Sequence, residues 1–288
     1  MINGRIVKGV GGLYTVDTDN GIYNCGIRGI FRKRNIKPTV GDNVLISVLD
    51  ESEKTGIIDE IFERQSFILR PRVANIDQAI LVFSAVTPDI NIDLMDRFIL
   101  ACEIANVGII ICINKSDKIN IHEYIWIKNI YEKIGYKVIF TSAEIKTGLE
   151  EVKASLENKV SVFAGPSGAG KSSLTNAIIP SANMQVGELS EKILRGKHTT
   201  RHTELIKVCE NTYIVDSPGF SSLILENLAK DDLHKYFREF EEFSVDCKFL
   251  DCKHLNEPAC AVKNALDSNL ISKQRYERYI NFYNKGVL

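Results

Sequence analysis

The stretch "KVSVFAGPSGAGKSSLTNAII", residues 159–179, sets an apolar run, a G-x-x-x-x-G-K-S loop and an amphipathic run end to end. A strand that feeds a glycine-rich turn opening a helix is the context in which this motif cradles phosphates. Gly165, Gly168 and Gly170 let the backbone turn tightly, so that successive N–H groups aim at the α- and β-phosphates and the helix N-terminus adds its partial positive charge. The expected nucleotide contacts therefore run over Gly165, Pro166, Ser167, Gly168, Ala169, Gly170, Lys171, Ser172 and Ser173. Lys171 neutralises the β- and γ-phosphates, which makes it a catalytic candidate, and the Ser172 hydroxyl is placed for Mg²⁺.

Working outward toward the N-terminus, "NKSD", Asn114 to Asp117, closes the apolar run "VGIIICI". Ligands of open α/β sheets bind at the C-terminal ends of parallel strands. A carboxylate there accepts two hydrogen bonds from guanine N1 and the 2-amino group, donors that adenine lacks, so Asp117 selects guanine. Asn114 supports the loop and faces the base, and the stem of Lys115 covers the ring. "TSA", Thr141 to Ala143, follows the next strand and offers Ser142 and Ala143 to guanine O6, although it also fits an ordinary strand end.

Toward the C-terminus, "TYIVDSPGF" ends a further strand in a D-x-P-G arrangement, with Asp216 facing Mg²⁺ and the Gly219 N–H facing the γ-phosphate. The polar stretch "RGKHTTRHT" between these motifs can bring Thr199 or Thr200 onto Mg²⁺, and a plain surface loop fits it as well. Phe220 stands where Ras-type GTPases carry the water-orienting glutamine, so intrinsic hydrolysis is expected to be slow. His198 is the local substitute for positioning water, or a histidine that faces solvent or a partner. All five elements of a GTPase are thus present in rotated order. Because parallel strands pair in space and not by chain order, circular permutation preserves the site.

Strand–helix alternation from "QAILVFSAV" to the phosphate loop predicts a mostly parallel sheet covered on both faces. Residues 1–63 instead carry short β-rich runs, the pattern of a small barrel. A five-stranded oligonucleotide-binding (OB-fold) barrel fits, and so do other small barrels. Beyond Ser217, "LENLAKDDLHKYFREFEEF" and "SKQRYERYINFY" read as helices. The expected units are 1–65, 66–222 and 223–288.

The formal charge of -1 does not favour nucleic acid, yet Arg28, Arg32, Lys33, Arg34 and Lys37 form a local basic patch with no carboxylate among them. Arg275, Arg278 and Lys285, with Tyr276 and Tyr279, are further candidates for RNA contact. The start "MINGRIVKGV" lacks the apolar core of a secretory signal, and no apolar run nears the roughly 18 residues that span a bilayer. A cytoplasmic protein without membrane attachment is expected. Of seven cysteines, three cluster in "CKFLDCKHLNEPAC". Cys247, Cys252, His254 and Cys260 form C-x₄-C-x-H-x₅-C, three thiolates and an imidazole that close a tetrahedral zinc shell with no open position, hence a structural site.

A small N-terminal barrel, a permuted GTPase carrying "NKSD", "GPSGAGKS", "RGKHTT" and "DSPGF", and this zinc segment together resemble the ribosome small-subunit-dependent GTPase A family, RsgA/YjeQ. The resemblance covers nearly the whole chain. It implies a monomeric late assembly factor that binds the maturing small ribosomal subunit and its rRNA, is stimulated by it, and is released on GTP hydrolysis. It also implies an OB-fold, a hydrolytic role for His198 with Lys171 and Thr200, and bound GTP or GDP, Mg²⁺ held by Ser172, Thr200 and Asp216, and one Zn²⁺. A signalling GTPase with a protein activator, or a P-loop ATPase or kinase, competes with this reading, and Asp117 argues against the last two.

Overall fold

The computed structural model describes residues 1–29, 31, 36–69, 71–179, 203–217, 220 and 228–286. The N-terminal runs fold as β1 (Ile2–Val10), β2 (Leu13–Thr18), β3 (Gly21–Ile27), β4 (Asn43–Asp50) and β5 (Thr55–Ile61). β1, β2 and β3 pair antiparallel, β3 lies parallel to β5, and β5 pairs with β4. β4 returns to β1 in the register Ile2↔Ile46 to Arg5↔Asn43, which closes the barrel. This closed five-strand order is that of an OB barrel, so the alternative small barrels are set aside. Side chains that alternate inward, among them Ile6, Val16, Tyr23, Val44, Ile46 and Ile58, fill it.

A short hairpin, β6 (Phe67–Ile68) with β7 (Val73–Ala74), leads into the second unit. Its strands are β8 (Gln78–Ser84), β9 (Gly108–Asn114), β10 (Lys137–Phe140), β11 (Val160–Ala164), β12 (Glu204–Cys209) and β13 (Thr212–Asp216). In space they run β10-β9-β8-β11-β13-β12, all parallel except β12, which pairs antiparallel with β13. Every residue of β8 is buried, as a strand covered on both faces requires. Leu81 and Phe83 face α1 (Ile92–Ile104) and α2 (Ile125–Lys133), whereas Ile80 and Val82 face α3 (Leu149–Leu156) and α4 (Lys171–Ile178).

The C-terminal unit holds a 3-10 segment, Lys230–Tyr236, then α5 (Arg238–Ser244), α6 (Ala261–Asp267) and α7 (Lys273–Lys285). The single helix expected over "LENLAKDDLHKYFREFEEF" is broken at Phe237, whose extended backbone turns its ring into the core, stacked 5.4 Å from Phe240. Residues 225–227 of that stretch lie outside the described residues. Among the described residues, no helix is long and apolar enough to cross a membrane.

Two polar joints hold the units together. At the first, β1 meets β12 at the pair Lys8↔Glu204, with a 2.6 Å ion pair between their side chains. Asp17 of β2 accepts a 2.6 Å hydrogen bond from the Tyr213 hydroxyl and pairs with Lys207 at 2.7 Å. At the second, Arg275 of α7, only 2% exposed, donates to Asp96 of α1 at 2.6 Å and to Glu239 of α5 at 2.7 Å. Arg278 also pairs with Asp96 at 2.7 Å, and Tyr279 is fully buried. Arg275, Arg278 and Tyr279 therefore build the interior joint, and the expectation that they reach RNA is withdrawn. Tyr276 is likewise committed, donating to the His254 carbonyl at 2.6 Å, and Lys285 alone of that group stays exposed.

Candidate functional site

The parallel strands end along one edge, and the register fixes which residues meet there. Ser84 pairs with Asn114, Ile113 with Phe140, Leu81 with Ala164, and Val162 with Val215, one residue before Asp216. "NKSD", "TSA", the phosphate loop and Asp216 are thereby gathered although they lie far apart in the chain. That is the outcome circular permutation requires.

The backbone of the phosphate loop takes conformations reserved largely for glycine. Gly165 has φ +136, and a Cβ there would lie 2.1 Å from the Val82 carbonyl oxygen. Gly170 has φ +89, and its Cβ would lie 2.4 Å from Asn114 Nδ2. The close approach at Gly170 is used: Asn114 Nδ2 donates to the Ala169 carbonyl at 3.0 Å. The Lys115 ammonium donates to the Gly168 carbonyl at 2.9 Å and to the Thr87 carbonyl at 2.6 Å. Base-reading and phosphate loops are thus braced against each other, and Thr87 in the turn after β8 is a third member that no motif marked.

Asp117 takes the second position of a 3-10 turn, Ser116–Lys118, behind Lys115, whose φ of +60 makes the sharp exit from β9. The Ser142 hydroxyl donates to the Asp117 carboxylate at 2.5 Å, so Ser142, followed by Ala143, orients that carboxylate. Lys171 Nζ donates to the Gly165 and Pro166 carbonyls at 2.7 and 2.8 Å, inside the loop, and burial pushes its pKa down to about 8. An ammonium ringed by carbonyls at the mouth of backbone N–H groups suits a polyphosphate. Ser172 and Ser173 follow on the first turn of α4, partly exposed, as expected for hydroxyls that meet a ligand. The Phe220 side chain is 2% exposed, and its carbonyl accepts a 3.1 Å hydrogen bond from the Gly165 N–H. It links the second switch to the phosphate loop and cannot orient water. His198, Thr199, Thr200 and Gly219 lie outside the described residues, as do Arg32, Lys33 and Arg34. Of the rest of the basic patch, Arg28 pairs at 2.5 Å with Asp59 of the neighbouring strand β5, a partner the linear sequence hid.

In the C-terminal unit, one ligand atom each from Cys247, Cys252, His254 and Cys260 lies within 4.8 Å of the others. His254 Nδ1 stands 3.6 Å from Cys247 Sγ and 3.4 Å from Cys260 Sγ, and the two sulfurs stand 3.9 Å apart. A tetrahedron with Zn–S of about 2.3 Å and Zn–N of about 2.0 Å has edges of about 3.8 Å between sulfurs and about 3.5 Å from nitrogen to sulfur. The donor set fits zinc. Burial pushes the Cys252 thiol up to about 12 and holds His254 down at about 4. A neutral imidazole is thus ready to ligate, while the thiol needs the cation to ionise it.

Residues 61–226 match the family model described as RsgA GTPase, and residues 3–58 match the RsgA N-terminal domain. The small ribosomal subunit biogenesis GTPase RsgA of Alkaliphilus metalliredigens is 48% identical over 280 residues, 97% of this chain and 96% of the relative. Its counterpart in Caldanaerobacter subterraneus is 47% identical over 97% of this chain and 94% of the relative. The crystal structure of YjeQ from Thermotoga maritima superposes with a TM-score of 0.87 at 33% identity, covering 99% of this chain and 98% of that one. That of YloQ, a circularly permuted GTPase, gives 0.83 at 35%, covering 99% and 95%.

Proposed function

Because the chain belongs to the RsgA GTPase family, we propose that it is a late maturation factor of the small ribosomal subunit, whose GTP hydrolysis is stimulated by the subunit and coupled to its own release. That it is a GTP-hydrolysing enzyme using guanine nucleotide and Mg²⁺ follows from the family. The observation that carries the site assignment is the bracing of Asn114 and Lys115 onto the phosphate loop, which ties recognition of the base to the geometry of the phosphates.

In this reading Asp117, oriented by Ser142, accepts from guanine, Asn114 and Lys115 hold the two loops in register, and the backbone of Gly165 to Ser173 binds the phosphates. Lys171 turns from its carbonyl partners to the β- and γ-phosphates. Ser172, Thr200 and Asp216 would hold Mg²⁺, which would supply neutralisation of phosphate charge. Gly219 donates to the γ-phosphate, and His198 orients the attacking water in place of Phe220. Cys247, Cys252, His254 and Cys260 hold one structural Zn²⁺. The barrel, 1–65, contacts rRNA, 66–222 hydrolyses GTP, and 223–288 is a helical zinc-binding unit. The protein acts as a monomer in the cytoplasm.

Steady-state phosphate release from GTP and from ATP, each with and without purified small subunits, tests this. Slow GTP turnover that rises strongly with subunits, with ATP inert, is expected. Preference for GTP with no response to subunits would instead favour a regulatory GTPase with a protein activator. Asp117→Asn should weaken GTP by about 10- to 100-fold, the worth of a hydrogen bond to a charged group, and shift preference toward xanthosine triphosphate.

A further inference from the structure

The Cys/His cluster brackets a turn that the fold itself does not use. Between Cys247 and Cys252 lie Lys248, Phe249, Leu250 and Asp251. The Cys252 N–H donates back to the Phe249 carbonyl at 3.2 Å, and the Lys248 N–H reaches the Ala259 carbonyl at 3.4 Å. On the far side of the loop the Tyr279 hydroxyl clamps the Lys253 carbonyl at 2.5 Å. On this fixed turn Leu250 is 109% exposed, Phe249 40% and the preceding Val245 80%. Three large apolar side chains within six positions, held out to water on a metal-braced turn, form a patch with no use inside the molecule. Their backbone is already ordered, so docking there forfeits little entropy.

The charges around the patch state what it would meet. Glu241, Glu242, Asp246 and Asp251 all reach the surface, and Lys248 is the one cation among residues 241–251. Its ammonium sits 5.7 Å from the Phe249 ring. None of the four carboxylates takes part in an ion pair among the described residues. RNA binding draws on cations that displace counterions from phosphates, and here four carboxylates outnumber Lys248 together with Arg238 and Lys253 at the edges of the turn, which disfavours a phosphate backbone. A lysine- and arginine-rich protein segment with an apolar side chain for Leu250 and Phe249 matches in both respects.

We propose that the surface formed by Val245, Phe249 and Leu250, rimmed by Glu241, Glu242, Asp246 and Asp251, docks a basic protein segment of the small ribosomal subunit and not its RNA. The partner rests on the ribosomal reading above. It separates the two ends of the molecule by chemistry, with nucleic acid at the barrel and protein at the metal-braced turn.

The test uses the full chain carrying p-benzoylphenylalanine in place of Leu250, bound to purified small subunits with a non-hydrolysable GTP analogue and irradiated. The expected adduct survives ribonuclease, is destroyed by protease, and maps by mass spectrometry to a segment with an excess of lysine and arginine. In parallel, Glu241→Lys with Glu242→Lys and Asp246→Lys, and separately Phe249→Ser with Leu250→Ser, should each weaken subunit binding by about tenfold, the scale expected when one anchor of an interface is removed. Basal GTP turnover and one bound zinc per chain, both unchanged, show that these variants remain folded. An adduct with rRNA, no adduct on subunits that bind the chain, or tighter binding after charge reversal would overturn the docking surface and leave the ribosomal reading standing. Failure of the unsubstituted chain to bind subunits would overturn both.

Discussion

In the role proposed for it, Lys171 joins phosphate binding to a pH dependence. Burial lowers its pKa from the ordinary 10.5 to about 8 in the nucleotide-free protein, and polyphosphate favours the charged form again. Binding therefore takes up a proton once the solution pH nears that value. Calorimetric titration of GDP in two buffers of different ionisation enthalpy should show uptake of about half a proton at pH 8, and affinity should fall about fourfold between pH 7 and 8.5. The places of Lys171 and Asp117 at the strand ends were legible in the sequence, since each motif sits directly after an apolar strand run. Arg275 was not. An arginine in a polar helix reads as a surface cation, and only partners 179 and 36 positions away, Asp96 and Glu239, turn it inward. Ser142 lies between these cases, because "TSA" located it but only the fold showed its hydroxyl on Asp117.

At the scale of elements, the phosphate loop and the base-reading loop behave as one unit, joined where Gly170 passes Asn114. Gly170→Ala forces an alanine into a left-handed conformation costing about 1–2 kcal/mol and sets its methyl against Asn114 Nδ2. Fluorescent-nucleotide titration should show GTP and GDP affinity falling together by about tenfold or more, since the loss of about 1.4 kcal/mol is a factor of ten. The melting temperature should drop by only a few degrees, because the strand and helix on either side are untouched. The strands and helices themselves were readable, β8 and β9 from apolar runs and α1 from its amphipathic period. The break at Phe237 escaped, because a local helical period cannot report that the core needs an aromatic ring turned inward at that position. The short α6 escaped too, since seven residues between a metal ligand and a turn show too little period.

At the scale of the molecule, the C-terminal unit is bolted on by a buried charge cluster. Arg275→Met removes the shared cation, leaving the largely buried Glu239 carboxylate without it and the buried Asp96 with Arg278 alone. Stability should fall by about 3–5 kcal/mol in chemical denaturation, whereas a surface arginine would cost almost nothing. Neither this cluster nor the joint between β1 and β12 was visible in sequence, since each depends on how separately legible units meet. The joint between barrel and sheet sets an order of events during synthesis. Asp17 and Tyr213 are 196 positions apart, so the barrel is complete long before the strand it grips has been made. Barrel and nucleotide-binding sheet each close through contacts nearer in sequence, and the seam between them can form only near the end. A newly made chain is thus a folded barrel tethered to an unfinished sheet until β12 and β13 have been made, and becomes a single mechanical object only with its last quarter.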